Sequence, residues 1–254
     1  MGSRRRWLAC AMLAALALMV RVPLAQEHAG PHWTYEGSEG PEHWGDLEKG
    51  FAACHVGHLQ SPIDIHGSKG ADVPPIQFAY QAVPLHIVNN GHTIQVNYAP
   101  GSAITVGGTR YELKQFHFHH PSEEKIDGKG SAMVAHLVHA SAAGKLAVVA
   151  VLLDPGTANP FITRLWEHLP PHAGKEETFA DVTIDVADLL PADRGYYTFS
   201  GSLTTPPCSE GVTWFVLKTP ASISEAQADA FGKIYPLNAR PVQPLNGREI
   251  LASK

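Results

Sequence analysis

The chain contains 254 residues, of which 44% are hydrophobic and 17% are charged, and its formal net charge is −5 at pH 7. This composition excludes a disordered or low-complexity protein, and the acidic balance argues against nucleic acid or an anionic membrane as a partner. The length suits one large domain or two small ones, and no shift in composition marks a boundary. We therefore expect one globular domain.

The N-terminal 25 residues have the pattern of a secretory signal peptide, which leaves residues 26–254 as the mature domain. Arginines at positions 4–6 precede an apolar run at positions 7–20, which is too short to span a bilayer. Cleavage would remove four arginines and no acidic residue, so the net charge would change from −5 to −9. A twin-arginine export route and an uncleaved membrane anchor remain alternatives.

Cysteine usage agrees with export. Cys10 would leave with the signal peptide, so Cys54 and Cys208 remain as an even pair. In an oxidising compartment we expect this pair to form a disulfide. Two separate buried thiols are the alternative.

Short strand-like runs separated by turn signals predict a largely antiparallel sheet. The runs are Leu85–Val88, His92–Tyr98, Ala103–Val106, Tyr111–His119, Ala132–Ala140, Leu146–Leu153, Tyr196–Phe199 and Val212–Leu217. The run at 146–153 is almost wholly apolar, which is typical of a strand buried on both faces.

Two helices are predicted in the second half of the chain. Asn159-Pro160 is a helix start, with asparagine as N-cap and proline in the first turn. Ser222 and Glu225 have the spacing of a capping box at the start of the second helix. Its buried side would comprise Ile223, Ala226, Ala230 and Ile234. We therefore expect a mainly β fold (α+β by some counts) with a few peripheral helices.

Three histidines carry the strongest chemical signal in the chain. In a strand, His117 and His119 would point to one face and Phe116 and Phe118 to the core, because successive side chains alternate. Between this run and that of His136, Asp127-Gly128 is a type I′ hairpin signal. A two-residue turn there would pair positions that sum to 255 and so place His119 opposite His136.

Three imidazoles that converge in this way predict a metal site. Three neutral nitrogen ligands without cysteine suit Zn²⁺ with an open fourth position, an arrangement typical of catalytic rather than structural sites. Zinc lowers the pKa of a bound water, so a nucleophile would exist at neutral pH. The alternative is an aromatic-rich hairpin with incidental histidines, since the chain contains 15 of them.

The segment Ser202–Cys208 contains two prolines, which exclude a helix. A rigid surface turn is the plain interpretation. The functional alternative is a rigid loop that presents Thr204 to a bound ligand and is held by Cys208.

Together these segments resemble an α-class carbonic anhydrase of the secreted bacterial type. The matching motifs are GPEHW at 40–44, QSPI at 60–63, NNGHT at 89–93, QFHFH at 115–119, PSE at 121–123, AHLVH at 135–139, GSLTTPPC at 201–208 and RPVQPLN at 240–246. The resemblance runs from about residue 32 to the C-terminus. It implies a large central twisted, mostly antiparallel sheet with zinc at the base of a conical cleft. It also implies reversible hydration of CO₂ to bicarbonate and a proton via zinc-bound hydroxide.

The resemblance further implies residue roles. His117, His119 and His136 would hold zinc. Thr204 would accept a hydrogen bond from zinc-bound hydroxide and donate its own to Glu123, since a hydroxyl has one proton to give. Thr205 would contact bicarbonate, and His92 would shuttle the released proton. A pocket for CO₂ would comprise Val138, Val148, Leu203, Val212 and Trp214, for which ordinary core packing is the alternative. Tyr35, Asn90 and Gln95 would hold waters, and Gln115 would lie beside the zinc ligands.

One pair of positions departs from the family pattern. Members usually carry Glu two residues before the third zinc histidine, where this chain has Val134, and His after the Ser-Glu pair, where it has Glu124. Partners of zinc ligands typically change metal affinity or activity by about 10–100-fold. We hypothesise that Glu124 accepts a hydrogen bond from His136 in place of the missing carboxylate. The alternative is a catalytically weakened binding protein on the same fold.

A zinc hydrolase with ester substrates is a third hypothesis for the same site. The signal pattern and the bacterial resemblance together imply a periplasmic or secreted enzyme with a small-molecule substrate, CO₂ or bicarbonate. Bacterial relatives are often dimers, so the choice between a monomer and a homodimer stays open.

Overall fold

The structure is a computed structural model and describes residues 32–254. The predicted signal peptide at positions 1–25 and Cys10 lie outside the described residues. None of the helices in the described part combines the length and the apolar character that a membrane span requires.

Sixteen strands and four short α-helices occur within residues 32–254. The strands are β1 (Asp64–Ile65), β2 (Lys69–Ala71), β3 (Gln77–Ala79), β4 (Val83–Asn89), β5 (Ile94–Asn97), β6 (Ala103–Val106), β7 (Thr109–His119), β8 (Lys125–Ile126), β9 (Lys129–Gly130), β10 (Met133–Ser141), β11 (Leu146–Pro155), β12 (Glu177–Ile184), β13 (Tyr196–Ser202), β14 (Glu210–Leu217), β15 (Ala221–Ile223) and β16 (Leu251–Ser253). The α-helices are α1 (Trp44–Leu47), α2 (Ala53–Val56), α3 (Pro160–Trp166) and α4 (Glu225–Gly232), and 3₁₀ turns span Gly37–Glu39, Lys49–Phe51 and Val186–Leu189.

Thirteen of the strands form one large sheet. Its main order is β12-β4-β5-β7-β10-β11-β14-β13-β16-β2, with β6 beside β7, β3 beside β6 and β15 beside β11. Most neighbours are antiparallel, and the exceptions in this sheet are β11 with β14, β11 with β15 and β16 with β2. Strands β1, β8 and β9 form a separate small sheet. The predicted mainly β, mostly antiparallel fold is confirmed.

The centre of the large sheet lies between two apolar clusters. Odd-numbered residues of β11 from Ala147 to Leu153 pack in one cluster, together with Phe116 and Phe118 of β7. Its even-numbered residues Val148, Ala150 and Leu152 pack in the other. Because side chains alternate along a strand, only an almost wholly apolar run can occupy this position, as the sequence predicted.

The predicted pairing of His119 with His136 is wrong by two residues. The structure places His136 opposite His117, and Val134 opposite His119. The turn itself is as predicted, since Asp127 and Gly128 both have positive φ and Ile126 pairs with Lys129. However, this hairpin is β8–β9, which joins β1 in the small sheet. The chain between β7 and β8 is longer than that between β9 and β10. Residues at equal distances from the turn are therefore not paired in β7 and β10.

The predicted start of the first helix is confirmed, whereas that of the second helix is wrong by two residues. Asn159 caps α3 as expected, and its side chain accepts hydrogen bonds from the backbone of residues 161 and 162. The capping box of α4 is formed by Ser224 and Gln227 rather than by Ser222 and Glu225. Ser222 lies in β15, which pairs with β11, so the extended backbone overrides the helical start signal there.

The predicted buried side of α4 is partly wrong. Ala226 is exposed and Ala230 is partly buried, and the helix buries Gln227, Ala228 and Phe231 instead. Ile223 is buried, but it belongs to β15 rather than to the helix, and Ile234 packs against the main apolar cluster from beyond the end of the helix.

Cys54 and Cys208 form the predicted disulfide, with a Cα–Cα distance of 5.0 Å and a sequence separation of 154 residues. The cystine packs with Trp44 and Phe51 in a third, smaller apolar cluster. It therefore ties α2 near the N-terminus of the domain to the loop that follows β13.

Removal of the disulfide is expected to lower the free energy of unfolding by about 2–5 kcal/mol, because the cross-link restricts a very long loop in the unfolded chain. Denaturant unfolding of the Cys54→Ala/Cys208→Ala variant against the oxidised protein measures this. Reduced wild-type protein is the control and should match the variant. Equal stability of oxidised and reduced wild-type protein would contradict the prediction.

Candidate metal centre

The three predicted ligands converge on one face of the sheet. His117 and His119 lie on β7 and His136 on the neighbouring β10, with ring centroids 4.7–5.5 Å apart. One nitrogen from each ring lies within 4.8 Å of the other two. His119 and His136 are buried and His117 is partly buried. The two-residue error in register does not disperse the set, because it preserves which face each histidine occupies.

Each of the first two rings is held from behind by a carbonyl oxygen. His117 Nδ1 lies 2.8 Å from Gln115 Oε1, and His119 Nδ1 lies 2.7 Å from the backbone oxygen of Asn238. Since these oxygens only accept hydrogen bonds, each Nδ1 carries the proton and each Nε2 keeps a lone pair. His119 Nε2 is buried and has no hydrogen-bond partner among residues 32–254. Such an orphaned acceptor is the expected condition of a metal ligand.

The third ring is held by a carboxylate. His136 Nε2 lies 3.1 Å from a carboxylate oxygen of Glu124, whose side chain is fully buried. The contact that the relocation hypothesis requires is therefore present. Val134, at the usual glutamate position, is also fully buried and packs in the apolar cluster with Val148 and Trp214. This leaves His136 Nδ1 to face the other two rings.

The electrostatics of the triad suit a cation. Burial lowers the pKa of His117 to about 3 and the pKa of His119 well below its usual value, and the nearby His136 adds to both effects. Burial also disfavours the charged form of His136, but the Glu124 carboxylate outweighs it and raises the pKa of that ring. Three inward nitrogens without a thiolate are a donor set that fits Zn²⁺.

Glu123 lies beside this triad. Its Oε1 accepts a hydrogen bond of 2.8 Å from the backbone N–H of Arg240. Its Oε2 lies 3.5 Å from His119 Nε2 and 3.8 Å from His136 Nδ1. Burial raises the pKa of Glu123 to about 7, while the charge of His136 and the hydrogen bond from the Arg240 backbone oppose this. One carboxylate oxygen is thus anchored and the other faces the ligand nitrogens.

The five residues predicted to form an apolar wall all belong to one cluster. Val148, Val212 and Trp214 are buried in it, and Val138 and Leu203 are packed against it. The edge of the cluster reaches the triad, since the rings of Trp214 and His136 are 4.9 Å apart.

The loop between β13 and β14 carries Thr204 and Thr205 directly after Leu203, which packs against this wall. Thr204 is 5% exposed and Thr205 is partly buried. The loop is closed by hydrogen bonds from Cys208 N to Thr205 O and from Leu203 N to Ser209 O, at 2.9 and 3.0 Å. The disulfide at Cys208 also ties this loop to α2.

His92 lies apart from the triad, in the turn between β4 and β5. Its ring stacks on Trp33 with centroids 3.7 Å apart, and its backbone N–H donates to Asn90 Oδ1 at 3.0 Å. Burial, reinforced by the charge of His32, lowers the pKa of His92. The Asn90 amide also reaches Gln95 Oε1 at 3.4 Å. Tyr35 is partly exposed, and burial of its hydroxyl raises its pKa well above the usual value, so it stays a donor.

Two residues of the site carried no assigned role at the sequence level. Asn238 holds His119 through its carbonyl, and its side-chain Nδ2 donates to the backbone oxygen of His92 at 3.0 Å. Arg240 holds Glu123 through its backbone N–H. Both lie in an irregular segment after α4, where no periodicity signals a function. Arg240 at least falls in a motif of the family resemblance, whereas Asn238 had no signal.

Comparison with known proteins gives a consistent result. A family model described as eukaryotic-type carbonic anhydrase matches residues 39–254. A carbonic anhydrase of Nostoc sp. is 46% identical over 225 residues, which covers 87% of this chain and 85% of the relative. A carbonic anhydrase of Klebsiella pneumoniae is 46% identical over 245 residues, which covers 95% of this chain and 97% of the relative. The solved α-carbonic anhydrase of Thermovibrio ammonificans, in complex with the inhibitor sulfanilamide, has a TM-score of 0.85 and 44% identity, and covers 89% of this chain and 100% of its own.

These matches extend over nearly the whole described chain and include the strands that carry the three histidines. The donor set and its buried, inward nitrogens suit zinc, the metal of α-carbonic anhydrases. The chain belongs to the eukaryotic-type, or α-class, carbonic anhydrase family.

Proposed function

We propose that this site catalyses the zinc-dependent, reversible hydration of carbon dioxide to bicarbonate and a proton. The observation that carries the proposal is the convergence of His117, His119 and His136, whose ligand nitrogens lie within 4.8 Å of one another, with the buried His119 Nε2 lacking a hydrogen-bond partner among residues 32–254. Zinc held by these nitrogens would act as a Lewis acid that makes water acidic enough to yield a nucleophile near neutral pH, a property for which carbonic anhydrases are known.

Thr204 and Glu123 would orient the nucleophile. A threonine hydroxyl has one proton to donate, and Glu123, whose Oε2 has no other hydrogen-bond partner among residues 32–254, would accept it. Once that proton is committed, the hydroxyl oxygen can only accept a hydrogen bond from the nucleophile. The attacking lone pair is then directed away from Thr204 and towards the apolar wall.

The substrate would bind against that wall. Carbon dioxide carries no charge and few hydrogen-bonding demands, so it needs a weakly hydrated surface beside the nucleophile rather than a charged clamp. Val148, Val212 and Trp214, which belong to one apolar cluster, would provide such a surface, with Val138 and Leu203 packed against it. The Thr205 hydroxyl would contact the bicarbonate product.

His92 would carry the released proton to solvent. Its ring lies outside the triad and is partly exposed, so ordered waters would connect the two. Tyr35, Asn90 and Gln95 would hold such waters. Stacking on Trp33 restricts the ring, and the His92 backbone is held because its N–H donates to Asn90 Oδ1 and its carbonyl accepts from Asn238 Nδ2.

Glu124 would replace the carboxylate that the family usually supplies from the position of Val134. It would fix the orientation of His136 and compensate its charge when the metal is bound, and Gln115 would do the same for His117 without charge. The 3.1 Å contact and the retention of all three histidines favour an active enzyme over a weakened binding protein.

We further infer that residues 1–25 direct export and that the mature domain, residues 26–254, works in the periplasm or outside the cell. The disulfide supports an oxidising location. A homodimer is the oligomer that we would test first, by light scattering of the purified mature chain. N-terminal sequencing of the exported protein would test the cleavage site.

The Glu124→Ala variant is expected to bind zinc about 10–100-fold more weakly, because His136 loses its anchoring carboxylate. Competition with a chromophoric chelator measures the affinity. The double variant Val134→Glu/Glu124→His, which restores the usual family arrangement, should recover most of the loss. Glu249→Ala removes an exposed carboxylate and is the control. Zinc affinity in Glu124→Ala equal to that of the control would contradict the assigned role.

The His92→Ala variant is expected to lower the turnover number for CO₂ hydration in dilute buffer, since the proton then leaves without a shuttle. Added imidazole should restore turnover, and kcat/KM should change little because CO₂ attack precedes proton release. Stopped-flow hydration assays give both constants. His66→Ala, which removes an exposed histidine elsewhere, is the control. Unchanged turnover of His92→Ala in dilute buffer would rule out the shuttle.

The pH dependence of turnover in dilute buffer should also report His92. Because burial lowers its pKa from 6.5, the ring stays neutral and able to accept a proton down to a pH below that value. Turnover should therefore decline through a midpoint below pH 6.5, and the decline should vanish in His92→Ala. Nuclear magnetic resonance titration of the ring gives the pKa independently. A ring pKa above 6.5 would show that the sign is wrong.

A further inference from the structure

Arg240 contacts the site through its backbone and is only 2% exposed. Its backbone N–H donates to Glu123 Oε1, whereas its guanidinium points to a different part of the chain. There Nη1 donates to Gln60 Oε1 at 2.9 Å and to Ser61 O at 2.8 Å, and Nη2 donates to Cys54 O at 3.0 Å. One residue thus touches the candidate catalytic carboxylate and three acceptors near the N-terminus of the domain.

These three acceptors belong to residues that hold both ends of the Thr204 loop. At the first end, Ser61 N donates to Ser202 Oγ at 2.9 Å, and Ser202 N donates to Ser61 Oγ at 3.2 Å. At the second end, Gln60 Nε2 donates to Cys208 O at 3.1 Å, and Cys54 is joined to Cys208 by the disulfide. The guanidinium therefore binds residues that are themselves bonded to each end of the loop.

The chemistry of this contact suits arginine alone among the cationic side chains. A planar guanidinium can serve three acceptors in fixed directions, whereas the lysine ammonium is a compact point donor. Burial lowers the pKa of Arg240 to about 10, so it remains charged at neutral pH. Its acceptors are uncharged, and its Nε has no partner within residues 32–254. The nearby charge of Glu123 favours the charged guanidinium, which also lies over the Trp44 ring at 5.7 Å.

We propose that Arg240 is a positioning residue that sets the separation of Thr204 and Glu123. Its backbone fixes the carboxylate, and its guanidinium fixes the loop that carries the hydroxyl. The inference rests on the proposed roles of Thr204 and Glu123, and it assigns a task to the QSPI and RPVQPLN motifs at 60–63 and 240–246, to which no role was given. Arg240 itself contacts neither zinc nor substrate.

A double-mutant cycle on the zinc-loaded protein tests this. Arg240→Lys should lower kcat/KM for CO₂ hydration about 10-fold. In the background of Glu123→Gln, the same change should lower it less than about 2-fold, because the carboxylate no longer needs to be placed. The stimulation of turnover by imidazole should be unchanged, since the path through His92 is intact. If Arg240→Lys disrupted the protein generally, it would lower kcat/KM by the same factor in both backgrounds.

Hydrogen exchange in the metal-free protein supplies a readout independent of activity. The amide of residue 240 should exchange at least about 10-fold faster in Arg240→Lys, while amides within β10 keep their protection. Arg248→Lys is the matched control, because Arg248 also donates to three backbone oxygens in this region but contacts neither Glu123 nor the Thr204 loop. It should leave kcat/KM within about 2-fold of wild type.

If Arg240→Lys does not fold, Gln60→Ala replaces it in the cycle, since that change removes one guanidinium acceptor and one loop contact. Multiplicative losses with Glu123→Gln, or a kcat/KM for the tested variant equal to that of Arg248→Lys, would overturn the proposal. Failure of the proposed function is distinguishable. Zinc-loaded wild-type protein would then be inactive, or Glu123→Gln alone would be fully active, whatever the exchange rate at residue 240.

Discussion

The site depends on one constraint, which is that three imidazoles must turn unprotonated nitrogens towards the same point inside the protein. A histidine can do this only if its other nitrogen has an acceptor, because that acceptor decides which nitrogen keeps the proton. Here an amide, a backbone carbonyl and a carboxylate perform this task for His117, His119 and His136 respectively. The sheet supplies the direction of each ring, and these acceptors supply its chemical state.

The exchange of Val134 and Glu124 relative to the family pattern shows how that constraint can be met from different positions. The ring of His136 needs a hydrogen-bond acceptor at Nε2, but nothing in the physics requires that acceptor to come from the same strand. Glu124 reaches the ring from the segment between β7 and β8. It immediately precedes β8, which pairs in parallel with β1. Val134, which occupies the usual position of the glutamate, then extends the apolar cluster that borders the site.

The irregular segment after α4 connects parts of the site that the sheet alone does not. Asn238 contacts His119 and the backbone of His92, and Arg240 contacts Glu123 and the residues that hold the Thr204 loop. A segment without regular structure can do this because its backbone donors and acceptors are not used in a ladder and remain available for the site. The same property makes such a segment difficult to interpret from sequence.

The sequence by itself determined the mainly β class, most of the longer strands, the disulfide pair and the face that the three histidines share. These follow from alternation, turn chemistry and cysteine count, which are local properties. It missed β12, whose residues are mostly exposed and lack an apolar alternation. Only the tertiary structure decided the register of β7 against β10, the start of α4, and the proximity of Glu124, Asn238 and Arg240 to the triad. Each of these depends on how residues that are far apart in the chain, or that lie in irregular segments, pack together. A local sequence pattern carries no information about such contacts.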